Sequence, residues 1–468
     1  MFQKETYIRR RQALKKKIKK GLILLPGNVE APANYAANTY KFLQDSTFLY
    51  FFGLDIPGIV GLIDVEADTD CLYGDDFTID QIIWTGPQPA LRELGEKVGV
   101  IGNTYTLFEL QSVILKAIKQ GRKIHFLPPY RSHNKMQVKN LLGVSSRALE
   151  NYVSVELIRA VVSLREIKEE EEIAEIEKAC ETGYRMHTTA MKLCRPGINE
   201  REIAGAIEGI ALRKGWGLAF TSIVSEHGEI LHNPHYTNRL KPGRLLLVDA
   251  GAATDRCYNS DFTRTMPVDG VFTQKQKDIY NIVLEANNNT FRLITPGVTY
   301  QSLHLEAAKV IATGLKELNL LKGSVDDIVQ NGAYALFMPH GLGHQLGLDA
   351  HDMEDLGERY VGYNDKTERS SMFGLGSLRM GRELLPGHVL TVEPGIYFIP
   401  QLIQKWQKER INAAFINYDT VADYLDFGGI RLEDNALVLK KGCRMLGKKR
   451  IPITPDEVEE TMRQEAEF

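Results

Sequence analysis

Four acidic residues in the second half of the chain each sit at the edge of an apolar, strand-like run, and they restrict the fold more than any other feature. Asp249 follows Leu245-Leu246-Leu247-Val248, and Asp261 opens Asp261-Phe262-Thr263-Arg264-Thr265. Glu393 follows Val389-Leu390-Thr391-Val392, and Glu433 follows Gly429-Ile430-Arg431-Leu432. Period two places Asp261, Thr263 and Thr265 on one strand face and Arg431 with Glu433 on one face of another. A carboxylate closing a buried strand needs a partner, because an isolated buried charge is costly. Taken singly, each acid fits an arginine pair or a turn cap as well as it fits a site.

A fifth segment changes that balance. Pro339 to Asp352 carries His340, His344 and His351 among glycines that let the backbone fold tightly. It is not the helical His-Glu-x-x-His zinc motif, since Gly341, Leu342 and Gly343 supply no acid and disfavour helix. Four carboxylates converging with His344 would repel one another unless cations intervene. This oxygen-rich set suits two divalent ions roughly 3.5 to 4 Å apart, chosen among Mn²⁺, Co²⁺, Zn²⁺ and Fe²⁺.

With 468 residues, the chain is long for one core and comfortable for two. Up to about residue 158, apolar runs at Gly21–Leu25, Phe48–Phe52, Ile59–Ile63, Gln81–Trp84 and Ile124–Leu127 alternate with helix-like stretches at Pro89–Lys97 and Leu107–Ile118, which reads as an α/β domain. The basic residues between Arg9 and Lys20 read as the solvated face of a first helix with Ile8, Leu14 and Ile18 inward. From residue 165 onward, Glu169–Glu172 starts a long helix and Asn199-Glu200-Arg201-Glu202 starts another. Strands are expected at Phe220–Val224, Leu245–Val248, Phe262–Met266 and Gly270–Phe272, and helices at Thr273–Leu293 and Tyr300–Leu318. Arg195-Pro196-Gly197-Ile198 is echoed by Thr295-Pro296-Gly297-Val298, which suggests a duplicated half-domain. Met353 to Leu385 is a polar, Gly-rich insertion, too long for a simple turn.

Charge narrows the partners. A net charge of −3 from 57 basic and 60 acidic residues argues against nucleic-acid binding. Five scattered cysteines without a Cys-x-x-Cys pair suit a reducing compartment, and no signal or membrane-spanning pattern stands at the N-terminus; a cytoplasmic protein without membrane contacts is the expectation.

The segments Asp249-Ala250-Gly251, Ser260-Asp261-Phe262-Thr263-Arg264-Thr265, His340-Gly341-Leu342-Gly343-His344, Thr391-Val392-Glu393-Pro394-Gly395 and Arg431-Leu432-Glu433-Asp434 resemble the five metal-site motifs of the pita-bread metallopeptidases. The likeness is to their proline-specific branch, aminopeptidase P and prolidase, and includes Gln44 to Gly53 in the N-terminal region. It implies an α/β domain over residues 1–158 and, over 165–468, a catalytic domain built on a curved, mainly antiparallel sheet covered by helices. It also implies two divalent ions, Mn²⁺ first. Asp249 chelates one, Asp261 and Glu433 bridge both, and His344 and Glu393 complete the other.

By the same resemblance, Glu393 accepts the proton of the attacking water, and His232 and His351 assist the carbonyl or tetrahedral intermediate. His340 and Arg431 match further active-site positions, and Arg379 matches an arginine that binds a dipeptide carboxylate. His235 is a weaker competitor for the role of His232. The segment from Asp249 to Asp261 is one residue longer than the usual pattern, which predicts a bulged turn. The activity implied is removal of an N-terminal residue before proline, from peptides (aminopeptidase P) or from dipeptides (prolidase), by a homodimer or homotetramer. A methionine aminopeptidase would not need the N-terminal domain, and a non-enzymatic pita-bread binding protein is expected to have lost ligands that this chain keeps.

Overall fold

A computed structural model describes residues 1–465. The chain forms two compact units, one from Met1–Arg165 with Met353–Tyr360 and one from Glu166–Asp352 with Val361–Phe468.

In the first unit, strand Leu22–Pro26 lies inside a five-stranded mixed sheet between Val60–Asp64, antiparallel to it, and Ile124–His125, parallel to it. Leu24, Leu62, Ile114 and Phe126 fill its core. Two apolar runs read as strands are helices instead. Phe48–Phe52 lies in helix Ser46–Phe52, because the Asp45 carboxylate caps it by accepting from the Phe48 amide and Gly53 ends it in the left-handed region. Gln81–Trp84 lies in helix Ile79–Thr85, started by a Thr78–Gln81 capping box.

The first helix, Lys4–Lys17, buries Leu14 as expected, but its basic face is not wholly solvated. Arg10, Arg11 and Lys15 are buried: Arg11 donates to Asp70 at 2.8 Å and to the Phe51 and Val98 carbonyls, and Lys15 also reaches Asp70. Long stems bury readily when the charged head finds acceptors.

In the second unit, strand Leu245–Asp249 lies between Thr263–Pro267 and Ile223–Ser225, antiparallel to both. Val389–Val392 pairs with Asp434–Val438, and Gly395–Tyr397 with Gly429–Arg431, again antiparallel. A bridge between Thr263 and Glu433 links the two halves, so the register delivers all four acids to one place. The segment Gly270–Phe272, expected as a strand, is a turn leading into helix Gln274–Leu293. The duplicated echo has a backbone basis: Gly197 and Gly297 both adopt positive φ, +87° and +91°, between paired helices. Among the described residues no helix is long and apolar enough to cross a membrane.

Arg264 locks this unit together. Fully buried, it donates to the Thr263, Glu433, Ile451 and Pro452 carbonyls and pairs with the buried Asp434 at 2.6 Å.

Candidate metal centre

Asp249 ends its strand opposite Thr263 in the register, and its Oδ2 accepts from Arg431 Nη2 at 2.5 Å. Its Oδ1 is buried without a hydrogen-bond partner among the described residues. Asp261 is held through its backbone by one side chain: its amide donates to Asn435 Oδ1 at 3.1 Å, and Asn435 Nδ2 donates to its carbonyl. Between the two acids, Cys257 takes a positive φ of +61° in the turn closed by Thr254 and Tyr258. Gly251 allows the close approach, since a Cβ there would lie 1.8 Å from the Ser260 carbonyl oxygen.

The His340–Asp352 segment is pinned to strand Val389–Val392. The His344 amide donates to Thr391 Oγ1, the Thr391 amide to the His344 carbonyl, and the Glu393 amide to the Leu342 carbonyl. His344 Nδ1 faces the Gln345 carbonyl at 3.0 Å, so the proton sits there and Nε2 keeps its lone pair. That lone pair points at Asp261 Oδ2, 3.6 Å away, and Glu393 Oε1, 3.5 Å away. These gaps are long for hydrogen bonds.

Three overlapping groups of donors meet within 4.8 Å: Asp249 with Asp261 and Glu433, His344 with Glu393 and Glu433, and Asp261 with His344 and His351. Glu433 is common to two of them. Burial pushes the Asp261 and Glu433 carboxyls well above the ordinary range, and the neighbouring acids push further. Glu393 rises to about 7, mainly through burial and against the pull of Arg431 and His351. Lone pairs facing one another, an orphaned carboxylate oxygen and crowded acids fit cations, and the donors are those that hard or borderline divalent ions accept.

Around the acids runs a hydrogen-bond chain that sequence reading did not find. Arg431 donates to Tyr397 Oη at 2.9 Å and through Nε to Thr263 Oγ1, while Thr263 Oγ1 donates to Glu433 at 2.8 Å. His340 faces the Gly341 carbonyl through Nδ1 and Tyr397 Oη through Nε2, so the tyrosine hydroxyl donates to a neutral imidazole. Burial, with Arg431 alongside, pushes His340 down to about 3. Tyr397 gave no signal because an aromatic in an apolar strand reads as core.

Of the remaining residues flagged by the sequence, His351 joins the donor cluster and His232 feels the Asp249 charge. The His351 ring stands 3.9 Å from that of His344, centroid to centroid. His232 is exposed, and burial of part of its ring together with the Arg431 charge holds it below the ordinary histidine value; Asp249, His351 and Arg379 also act on it. The Arg379 charge acts on His344 as well. His235 is exposed, with its amide on Asn233 Oδ1.

Antiparallel strands delivering carboxylates and an imidazole to one buried cluster define a metal-dependent hydrolase. The metallopeptidase family M24 model matches residues 174–440, and that of the aminopeptidase P N-terminal domain matches residues 7–125. The chain belongs to metallopeptidase family M24. It is 30% identical to a probable Xaa-Pro aminopeptidase of Sordaria macrospora, over 95% of this chain and 92% of that one. It is also 30% identical to the human Xaa-Pro dipeptidase, over 94% and 88%. Among solved structures, the low-pH form of Escherichia coli aminopeptidase P superposes with a TM-score of 0.81 at 29% identity, covering 99% of this chain and 98% of that one. A zinc-substituted form of the same enzyme with product gives 0.79 at 28% identity, with the same coverage. The pita-bread fold anticipated from the motifs is the fold of this chain.

The acid crowding has a measurable consequence without metal. Because folded Glu393 holds its proton up to about 7 rather than its ordinary 4.5, the folded state binds more protons across that interval and loses stability as pH rises. Buried histidines act in the opposite direction, so the comparison must cancel them. Metal-free wild type is expected to lose melting temperature relative to metal-free Glu393→Gln as pH increases from about 4.5 to 7. A difference that is flat with pH shows that the Glu393 carboxyl is not held above its ordinary range.

Proposed function

We propose that residues 165–468 are the catalytic domain of an Xaa-Pro aminopeptidase and that residues 1–158 are its aminopeptidase P-like N-terminal domain. The observation that carries this reading is the set of donor atoms turned toward one another, His344 Nε2 with Asp261 Oδ2 and Glu393 Oε1, and the orphaned Asp249 Oδ1 of the same acid cluster. The relatives that share nearly the whole chain are named for the Xaa-Pro bond, which supports the substrate.

Asp249, Asp261 and Glu433 would hold one cation, and His344, Glu393, Glu433 and Asp261 the other, with Asp261 and Glu433 shared. Bound there, divalent ions supply polarisation of the scissile carbonyl and a more acidic water. Glu393 receives the proton of the attacking water at a carboxylate oxygen. His232 and His351 donate to the carbonyl oxygen as charge develops on it. Arg431, fixed by Tyr397, Thr263 and Asp249, sets the direction of the Asp249 carboxylate. A free α-amine is the natural partner for the surrounding carboxylates, which gives an exopeptidase. The same reading takes Mn²⁺ as the native metal, a homodimer or homotetramer as the assembly, and the cytoplasm as the location. The test is hydrolysis of Gly-Pro and of an Xaa-Pro-Pro peptide with Mn²⁺ added; failure on both removes the proposal.

One observation favours a second reading, an Xaa-Pro dipeptidase. The Arg379 charge is felt at both His232 and His344, which puts a guanidinium, a group suited to paired hydrogen bonds with a carboxylate, in their neighbourhood. On that reading, Arg379→Ala raises KM for an Xaa-Pro dipeptide roughly 10- to 100-fold, the loss of a charge-assisted pair. The tripeptide is affected little. Equal effects on the two substrates remove Arg379 from carboxylate recognition.

A further inference from the structure

His232 stands in an exposed loop, and its imidazole makes no hydrogen bond to the protein among the described residues. An unanchored side chain takes its place from its backbone, so whatever fixes the loop fixes the imidazole. Both ends of that loop are fastened by one carboxylate. Glu200, fully buried at the first turn of helix Glu200–Lys214, accepts through Oε1 from the Glu226 amide at 2.9 Å. Through Oε2 it accepts from the Asn238 amide at 2.9 Å, and Asn238 Nδ2 reaches both oxygens at 3.0 and 3.1 Å. Glu226 and Asn238 lie six residues to either side of His232. The Glu200 amide donates to the Asn238 carbonyl, which closes the far end twice.

A buried carboxylate accepting four contacts from three nitrogen donors is more than a helix-start signal, since the N-cap role here belongs to Asn199. Its charge strengthens each bond, and its two oxygens are what let one residue hold two strands of a loop at once. No neutral residue of that size offers two acceptors on both sides: glutamine would present an amide N–H₂ to one of the two loop ends. Further fastenings, Asn233 Nδ2 to Ser225 Oγ at 3.0 Å and Tyr236 Oη to the Ser222 carbonyl at 2.6 Å, hold the interior of the loop against the strand beside Asp249.

We propose that Glu200 is the positioning residue for His232, acting through the loop backbone with no contact to substrate or metal. The role assigned to His232 rests on the function proposed above. Glu200→Gln preserves volume and is expected to lower kcat on the cleaved Xaa-Pro substrate roughly 10- to 100-fold, the scale of a displaced catalytic group. Bound metal stays unchanged. In a His232→Ala background the same change should add less than about twofold, because there is nothing left to position. A second readout needs neither metal nor activity: amide hydrogen exchange across residues 226–238 in the metal-free protein should accelerate in Glu200→Gln.

Should Glu200→Gln fail to fold, Asn238→Ala, at the partly exposed end of the clamp, carries the same two tests. Equal losses of kcat with and without His232, or unchanged exchange across the loop, overturns the proposal. Inactivity of wild type on every Xaa-Pro peptide instead removes the peptidase reading and leaves the exchange test of the clamp intact.

Discussion

Asp261→Asn is expected to lower peptide hydrolysis by more than roughly 100-fold, since residues that merely support a ligand already cost 10- to 100-fold when lost. The side chain keeps its shape and its backbone clamp on Asn435, so the loss is of charge alone. The same variant should be more stable than wild type when both are metal-free at neutral pH. Asp261 is pushed up by burial and by the charges of Asp249 and Glu393, and removing its charge relieves that repulsion. Adding Mn²⁺ should reverse the order, raising the melting temperature of wild type past that of the variant. Thermal melts with and without a chelator check this. A variant less stable than wild type in both states means that Asp261 serves a structural ion pair instead of a cation.

Arg264→Met should destabilise the second unit by about 3 to 5 kcal/mol, the usual consequence of breaking a buried pair from one side. It strands the Asp434 carboxylate with Arg450 alone and removes the donor from four carbonyls, two of them in the segment Ile451–Pro452. Because Glu433 is among the residues whose carbonyl Arg264 holds, weaker metal binding should accompany the loss. Urea denaturation of metal-free protein measures the first effect. A change below about 1 kcal/mol would show that the surrounding carbonyls find water or other donors.

The five ligand candidates were legible because each carries chemistry that a buried strand end or a glycine-rich turn does not otherwise tolerate. What stayed hidden were residues whose types fit an ordinary role. Tyr397 and Asn435 carry no pattern of their own in the sequence, and Glu200 reads as a helix start. Each acts through partners from other elements: Asn435 meets Asp261 across 174 positions, and Tyr397 meets His340 across 57. In the first unit, Phe48–Phe52 was misread because an apolar run of that length has no decisive period, and the Asp45 cap and Gly53 decided for helix. Arg11 was read as solvated because its acceptors, Asp70 and the Phe51 and Val98 carbonyls, come from other elements.

Calorimetric titration of metal-free protein with Mn²⁺, beside the same titration of Asp261→Asn and Glu433→Gln, asks most directly whether these side chains meet around cations. Two equivalents per chain are expected for the wild type, with affinity lost at both sites in either variant because each carboxylate is shared. Binding of fewer than two ions, or binding that survives both substitutions, would contradict the dinuclear centre and the peptidase built on it.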